Sequence, residues 1–244
     1  MSVSESRPQS TPTDPTQLRN DLDGIQADAG AVVARRHGRV LALSYGSAAG
    51  ELAACMNAVG IASRAELTKL ELTAPGPNLE RVIAGLLGVS LLAGGSHRTR
   101  TVGWYRPDDR RLIALCEAEQ AERLRGRLEF WMLRDPTVAL HDRTSEWAAI
   151  AVIGRRTRLL LGELGVYGPS RDPRAVPPVT RTADDPETSW LLHADDDALA
   201  ITPHGSATTL WRRITRAGRP LRICAVGHEA LTRYHMLTRR DPSR

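Results

Sequence analysis

The sequence predicts an α+β fold: duplicated strand–helix–hairpin–helix units with mainly antiparallel sheets. Three observations carry this prediction. Short stretches such as "KLELTA" and "AAIAVI" alternate or concentrate apolar residues over strand-like lengths. Residues 59–88 and 138–165 echo one another, each running from an apolar start through an arginine-containing polar link into a strand, a glycine turn and an amphipathic helix. The echo continues downstream, where "WYRPDDRRLIALCEAEQAERLRGRLE" parallels "WLLHADDDALAITPHGSATTLWRRITRAG", each reading as two strands around an acidic turn and then a helix.

Residues 1–20 are rich in Pro, Ser and Thr, with almost no apolar residues, and are expected to form a disordered tail before a folded domain over 21–240. "RVLALSY" (39–45) reads as a strand. Ser47 then caps a helix that carries Leu52, Cys55 and Met56 on one face and stops at Gly60. The two repeats are expected at approximately 59–129 and 138–218, and the proline-rich stretch 168–186 reads as a surface loop within the second. Helices are expected to cover one face of each sheet.

Composition narrows the function. Hydrophobic residues make up 41% and charged residues 25% of the 244, an ordinary globular profile. The first 20 residues hold no apolar leader, and the longest apolar run, 82–95, is short of the roughly 20 residues that span a bilayer, so no membrane association is expected. The net charge of +5 invites a nucleic-acid reading. Against it, Lys69 is the only lysine, and the 32 arginines are scattered among acids without an aromatic-interleaved basic stripe, so nucleic acid is not expected as a partner. Cys55, Cys116 and Cys224 show neither metal-ligand spacing nor a disulfide framework; they read as buried thiols of a cytoplasmic protein without a metal.

The stretch 94–106, "GGSHRTRTVGWYR", concentrates the candidate chemistry. His97, Arg98 and Arg100 offer closely spaced cations beside glycine amides, a set suited to a carboxylate or phosphate; the other reading is a solvated turn. Trp104 and Tyr105 supply stacking faces, although strand alternation sends one of them to the core. His141, Asp142 and Glu146 superficially resemble a metal set, but the matching half-repeat has Ala62 and Ser63 there, so they read as a structural link. Asp195, Asp196 and Asp197 occupy a hairpin turn without calcium-loop spacing and read as solvated.

Four blocks taken in order, "YGSAAGELAACMNAVGIASRAELTKLELTAPGP", "TVGWYRPDDRRLIALCEAEQAERL", "VALHDRTSEWAAIAVIGRRTRLLLGELG" and "ICAVGHEALTRYHML", resemble the folate-binding domain of the glycine-cleavage T-protein (aminomethyltransferase) superfamily. The similarity covers about residues 39–238. In size the chain is closer to the small T-protein-like subunit of sarcosine oxidases, since a full-length aminomethyltransferase would continue into a C-terminal barrel. The resemblance implies a T-protein-like folate-binding domain, tetrahydrofolate as cofactor and a place in one-carbon or amine metabolism.

The resemblance also distributes roles. Thr101 falls where catalytic members carry an aspartate beside the one-carbon unit, with Arg100 next to it. Tyr105 falls at an aromatic position against the folate, and His235 at a glutamate that holds the pterin. Arg181, in "VTRT", precedes a segment that reads "ADDPETSW" where the family has a tyrosine–threonine–glycine–glutamate loop. A threonine hydroxyl does not ionise near neutral pH, and arginine brings fixed positive charge. Aspartate-dependent aminomethyl transfer is therefore not expected. Two readings stand. One is a ligand-binding or partner-docking subunit that takes a small folate-like or anionic ligand, or a partner enzyme. The other is a stand-alone transferase or lyase, as in secondary metabolism, with a new site built from His97, His235 and the loop arginines.

Overall fold

The computed structural model describes residues 22–99, 101–167, 179–194 and 196–238; the expected N-terminal tail and Arg100 lie outside them. Helix α1 (Leu22–Asp28) leads into a hairpin of β1 (Val32–Arg36) and β2 (Arg39–Ser44). Ser47 caps α2 (Ala48–Asn57), its Oγ accepting from the Gly50 amide at 3.3 Å. The helix ends at Asn57 rather than at Gly60, which lies inside β3 (Val59–Ser63) with Cys55 and Val226 against it.

From β3 the strand–helix–hairpin–helix order is traversed twice. The first pass is β4 (Leu67–Thr73), α3 (Gly76–Leu87), β5 (Ser96–Arg98), β6 (Val102–Asp108), β7 (Arg111–Glu117) and α4 (Ala118–Arg134), followed by β8 (Ala139–Asp142). The second is β9 (Trp147–Ile153), α5 (Thr157–Glu163), β10 (Val179–Thr182), β11 (Asp185–Ala194), β12 (Asp197–Pro203) and α6 (Ala207–Gly218), followed by β13 (Ile223–Ala225) and α7 (His228–Thr238). Strands β10 and the start of β11 occupy part of the stretch expected as a loop. Their polar sequences "VTRT" and "DPET" hide the strand period, yet Val179, Thr182 and Thr188 turn inward. Residues 168–178 of that stretch lie outside the described ones.

The strands form two larger sheets, in the orders β5-β6-β7-β4-β8 and β10-β11-β12-β9-β3-β13, and all their pairings among the described residues are antiparallel except β13 with β3. The leading strand of each pass sits in the other pass's sheet. Strand β3 runs into β4 but pairs with β9, and β8 runs into β9 but pairs with β4. The two links, 64–66 and 143–146, therefore cross between the sheets.

Each sheet has one face on helices and one on the other sheet. Leu70, Leu72, Trp104 and Leu112 pack on α3 and α4 through Leu79, Ile83, Leu124 and Leu128. Val59, Ile61, Ile150 and Val152 pack on α5 and α6 through Leu160, Trp211 and Ile214. Between the sheets, Ala62, Ala149, Ala151 and Ile153 meet Tyr105, Ile113 and Leu115, with Cys55 of α2 and Leu231 and Tyr234 of α7 closing the layer. Small alanines on one side leave room for larger side chains on the other, the complementarity that close packing requires. Two of the three expected buried thiols, Cys55 and half-buried Cys224, are neighbours here, and that contact together with burial pushes the Cys55 thiol up.

Gly154 marks a tight crossing of backbone. Its φ is +112°, and a Cβ there would lie 2.5 Å from the Cys55 carbonyl oxygen and 2.6 Å from that of Ala58. Backbone cannot yield as a side-chain tip can. Gly154→Ala is expected to cost on the order of 2–4 kcal/mol. Thermal unfolding followed by circular dichroism should show Tm lowered by roughly 5–15 °C.

Candidate functional site

Three turns meet where the two sheets part: the β5–β6 turn, the junction of β7 with α4, and the tip of the β11–β12 hairpin. In the first, the Thr99 hydroxyl accepts from the Val102 amide and lies equally close, at 3.1 Å, to the Val102 carbonyl. Gly103 follows. The Tyr105 ring folds back over it, so that a Cβ would lie 2.7 Å from the phenolic oxygen. Only glycine leaves this path open.

The Tyr105 hydroxyl lies 2.6 Å from Nε2 of His193, near the end of β11. Across the hairpin tip, Asp197 places Oδ1 3.3 Å from His193 Nδ1 and Oδ2 3.3 Å from Nε2 of His235 on α7. Helix α7 also clamps the tip directly, because the Tyr234 hydroxyl donates to Asp196 Oδ2 at 2.8 Å. Burial works to raise the Asp197 carboxyl, but donation and positive charge from His193 and His235 outweigh it, holding the group well below the usual carboxylate range. Tyr105, His193, Asp197 and His235 therefore stand in a row, each within 3.3 Å of the next.

Beside this row opens a cleft of about 310 Å³, lined among others by Arg64, Arg98, Thr101, Tyr105, Glu117 and His193. Arg64, on the link between β3 and β4, is paired with Glu66. Burial would raise Glu66, but the Arg64 charge and hydrogen bond overcome it and hold the carboxyl below its ordinary value. The cleft therefore carries cations from two directions, with one exposed carboxylate, Glu117, among them.

Of the residues singled out from sequence, Arg98, Thr101 and Tyr105 come together at the cleft. Trp104 does not. Alternation along β6 turns it to the opposite face, 2% exposed among the side chains of α3 and α4, where its indole nitrogen has no hydrogen-bond partner among the described residues. His97 pairs with Trp104 in register and shares that face. Arg181, on β10, lies in a separate hollow with its Nε 3.3 Å from Ser189 Oγ. His235 stands behind the cleft, one residue removed from its wall, on Asp197.

Asp197 corrects the expectation of a solvated acidic turn: its side chain is half-buried between two histidines. His193, Asp197, Arg64 and Glu117 were not legible as site residues. The one usable signal is a histidine four residues ahead of an aspartate across a tight hairpin tip. Asp142 and Glu146 pair with Arg125 and Arg143 in the link after β8. Among the described residues, no group of three or more His, Cys, Asp or Glu is placed to hold a metal ion, and no helix is long and apolar enough to cross a membrane.

No family model matches the chain. No curated protein matches it either. Solved structures do. The glycine cleavage system aminomethyltransferase T from Bartonella henselae superposes with a TM-score of 0.68 over 86% of this chain, at 16% identity. The chain has a T-protein-like fold. It spans 59% of that structure's length. A chain of the heterotetrameric sarcosine oxidase from Corynebacterium sp. U-96, in complex with pyrrole 2-carboxylate, superposes with a TM-score of 0.56 at 16% identity, over 74% of this chain and 95% of that one. In this T-protein-like chain the cleft lies between the two sheets, with Thr101 on its wall.

The depressed carboxyl gives a pH test. A group whose folded value is lowered stabilises the fold above its unfolded value, near 4 for aspartate, and that contribution is lost as pH falls through the folded value. Asp197→Asn is expected to lower stability by about 1–3 kcal/mol at pH 7. Urea midpoints taken down the pH scale should show the gap between variant and wild type narrowing below about pH 4.

Proposed function

We propose that the cleft between the sheets binds a small anionic, ring-bearing ligand, with a reduced folate as the leading case. On this reading the protein is a T-protein-like ligand-binding or partner-docking subunit in one-carbon or amine metabolism, working in the cytoplasm. The observation that carries the proposal is the chemistry of the lining. Glu117 can accept the paired N–H groups of an aminopyrimidine edge. The ring face of Tyr105 offers stacking, and Arg98 meets a carboxylate tail. A volume of about 310 Å³ admits a bicyclic head with its tail outside.

The docking part of the reading draws on the outer helical layer. Phe130 and Leu133 of α4, and Leu92 beyond α3, are large apolar side chains left exposed. Surfaces of that kind serve contact with other proteins, and the sarcosine oxidase structure of like fold is itself heterotetrameric.

A second reading, a stand-alone transferase or lyase, is favoured by the Tyr105–His193–Asp197 row, since a stacked ring beside a histidine base is suited to proton transfer. The residues would then be Tyr105 and His193, in place of His97. Neither reading uses an aspartate at position 101.

Calorimetric titration with a reduced folate tests the first reading. Saturable binding at micromolar levels is expected. Arg98→Ala and Tyr105→Leu should each weaken it by about tenfold, or about 1.4 kcal/mol. No heat at millimolar folate would overturn the folate assignment.

A further inference from the structure

A second cavity, of about 550 Å³, shares no lining residue with the cleft. Its walls include Arg35 and Arg39 of the first hairpin, Ser63 and Lys69, and Trp147 and His204. Lys69 is the only lysine of the chain and is 2% exposed. It sits in β4 between Thr68 and Leu70, and because Leu70 and Leu72 point into the helical layer, Lys69 faces the opposite side.

The amine has little to hold it as a cation. Among the described residues no carboxylate reaches ion-pair distance of Lys69. Its nearest charged neighbours are committed elsewhere. Arg39 donates to the Ala65 and Glu66 carbonyls at 3.3 and 2.8 Å and to Thr68 Oγ1 at 2.9 Å. Glu66 is paired with Arg64, and Asp142 with Arg125. A purely structural lysine placed here would be a poor choice, since burying an unpaired ammonium is costly and methionine would fill the same volume.

We propose that Lys69 is a carbonyl-capturing amine and that its cavity takes a small 2-oxo acid. The neutral Nζ attacks the carbonyl carbon, forming a C–N bond. The carbinolamine then loses the carbonyl oxygen as water, which takes both amine protons, and an imine remains; no oxidant or reductant takes part. The substrate carboxylate is met by Arg35, which is exposed on β1 at the cavity wall.

The protonation state agrees. Burial first, then the positive charge of Arg39, push Lys69 down to about 8; Glu66 opposes them, and the lesser influences of Arg64 and Asp142 act in opposite directions. Asp23, Arg35 and His204 complete the titratable groups of the cavity wall. The reactive neutral amine is therefore plentiful just above neutrality, where an ordinary lysine is almost wholly protonated.

The experiment uses the full chain, with glyoxylate or propionaldehyde as probe, cyanoborohydride to fix any imine, and peptide mapping to locate it. A single lysine makes the assignment unambiguous against the N-terminal amine. Lys69 is expected to be labelled on the order of 10–100 times faster at pH 7 than the side chain of Nα-acetyl-lysine amide, with a half-maximal rate near pH 8. Glyoxylate should outpace propionaldehyde, and Arg35→Ala should erase that preference while leaving propionaldehyde labelling intact. Labelling of Lys69 only after the chain is unfolded in urea, or at the rate of the reference amine, would overturn the capture site. A glyoxylate preference unchanged in Arg35→Ala would overturn the 2-oxo acid assignment.

Discussion

The exchange of leading strands between the two sheets is the constraint on which the rest depends. Because β3 pairs with β9 and β8 with β4, each sheet is finished by a strand from the other pass of the chain. The connecting links must cross the gap between layers, and their polar residues come with them. That is how Arg64 and Glu66 enter the space between the layers, and why they are found paired to each other there. The cleft and the second cavity flank this same link, one reached by Arg64 and the other by Ser63 and Ala65. Duplication supplies the sheets; the crossing supplies the chemistry.

Charge is arranged differently in the two spaces. At the cleft a single carboxylate, Asp197, is shared by two imidazoles, so that the histidines are oriented by it and the acid remains ionised by them. At the cavity the cations outnumber their counter-ions and the weakest holder of a proton, the lysine, gives way. Both outcomes follow from desolvation weighed against local charge, with the sign set by which partners the fold delivers. The threonine at position 101 belongs to this picture. In a cleft already lined by Arg64 and Arg98 it adds neither charge nor strong hydration.

Local patterns were legible where they are local in cause. The alternation in "KLELTA" and the Ser47 cap act within a few residues and read directly. The doubled order of elements was visible because each repeat carries its own turn chemistry. Strand β10 was not, since "VTRT" owes its place to pairing with β11 rather than to an apolar period. The site shows the same division. Tyr105 was reached through the aromatic pair, but which of Trp104 and Tyr105 faces the ligand space depends on which sheet face the helices cover, and no stretch of a few residues contains that. His193 and Asp197 are silent in sequence, because a histidine and an aspartate near a hairpin tip become a unit only once α7 brings His235 and Tyr234 against them.

That clamp by α7 has a consequence for synthesis. The cleft's own walls are complete once β12 has been made, yet the row of proton-bearing groups lacks its last member until residue 235 has been translated and the helix has docked. Between those moments Asp197 has one imidazole in place of two, and Tyr234 has not yet secured the hairpin tip. A nascent chain therefore presents the cleft before the side chains that brace it from behind. Docking of α7 is thus the step that braces the hairpin tip behind the cleft.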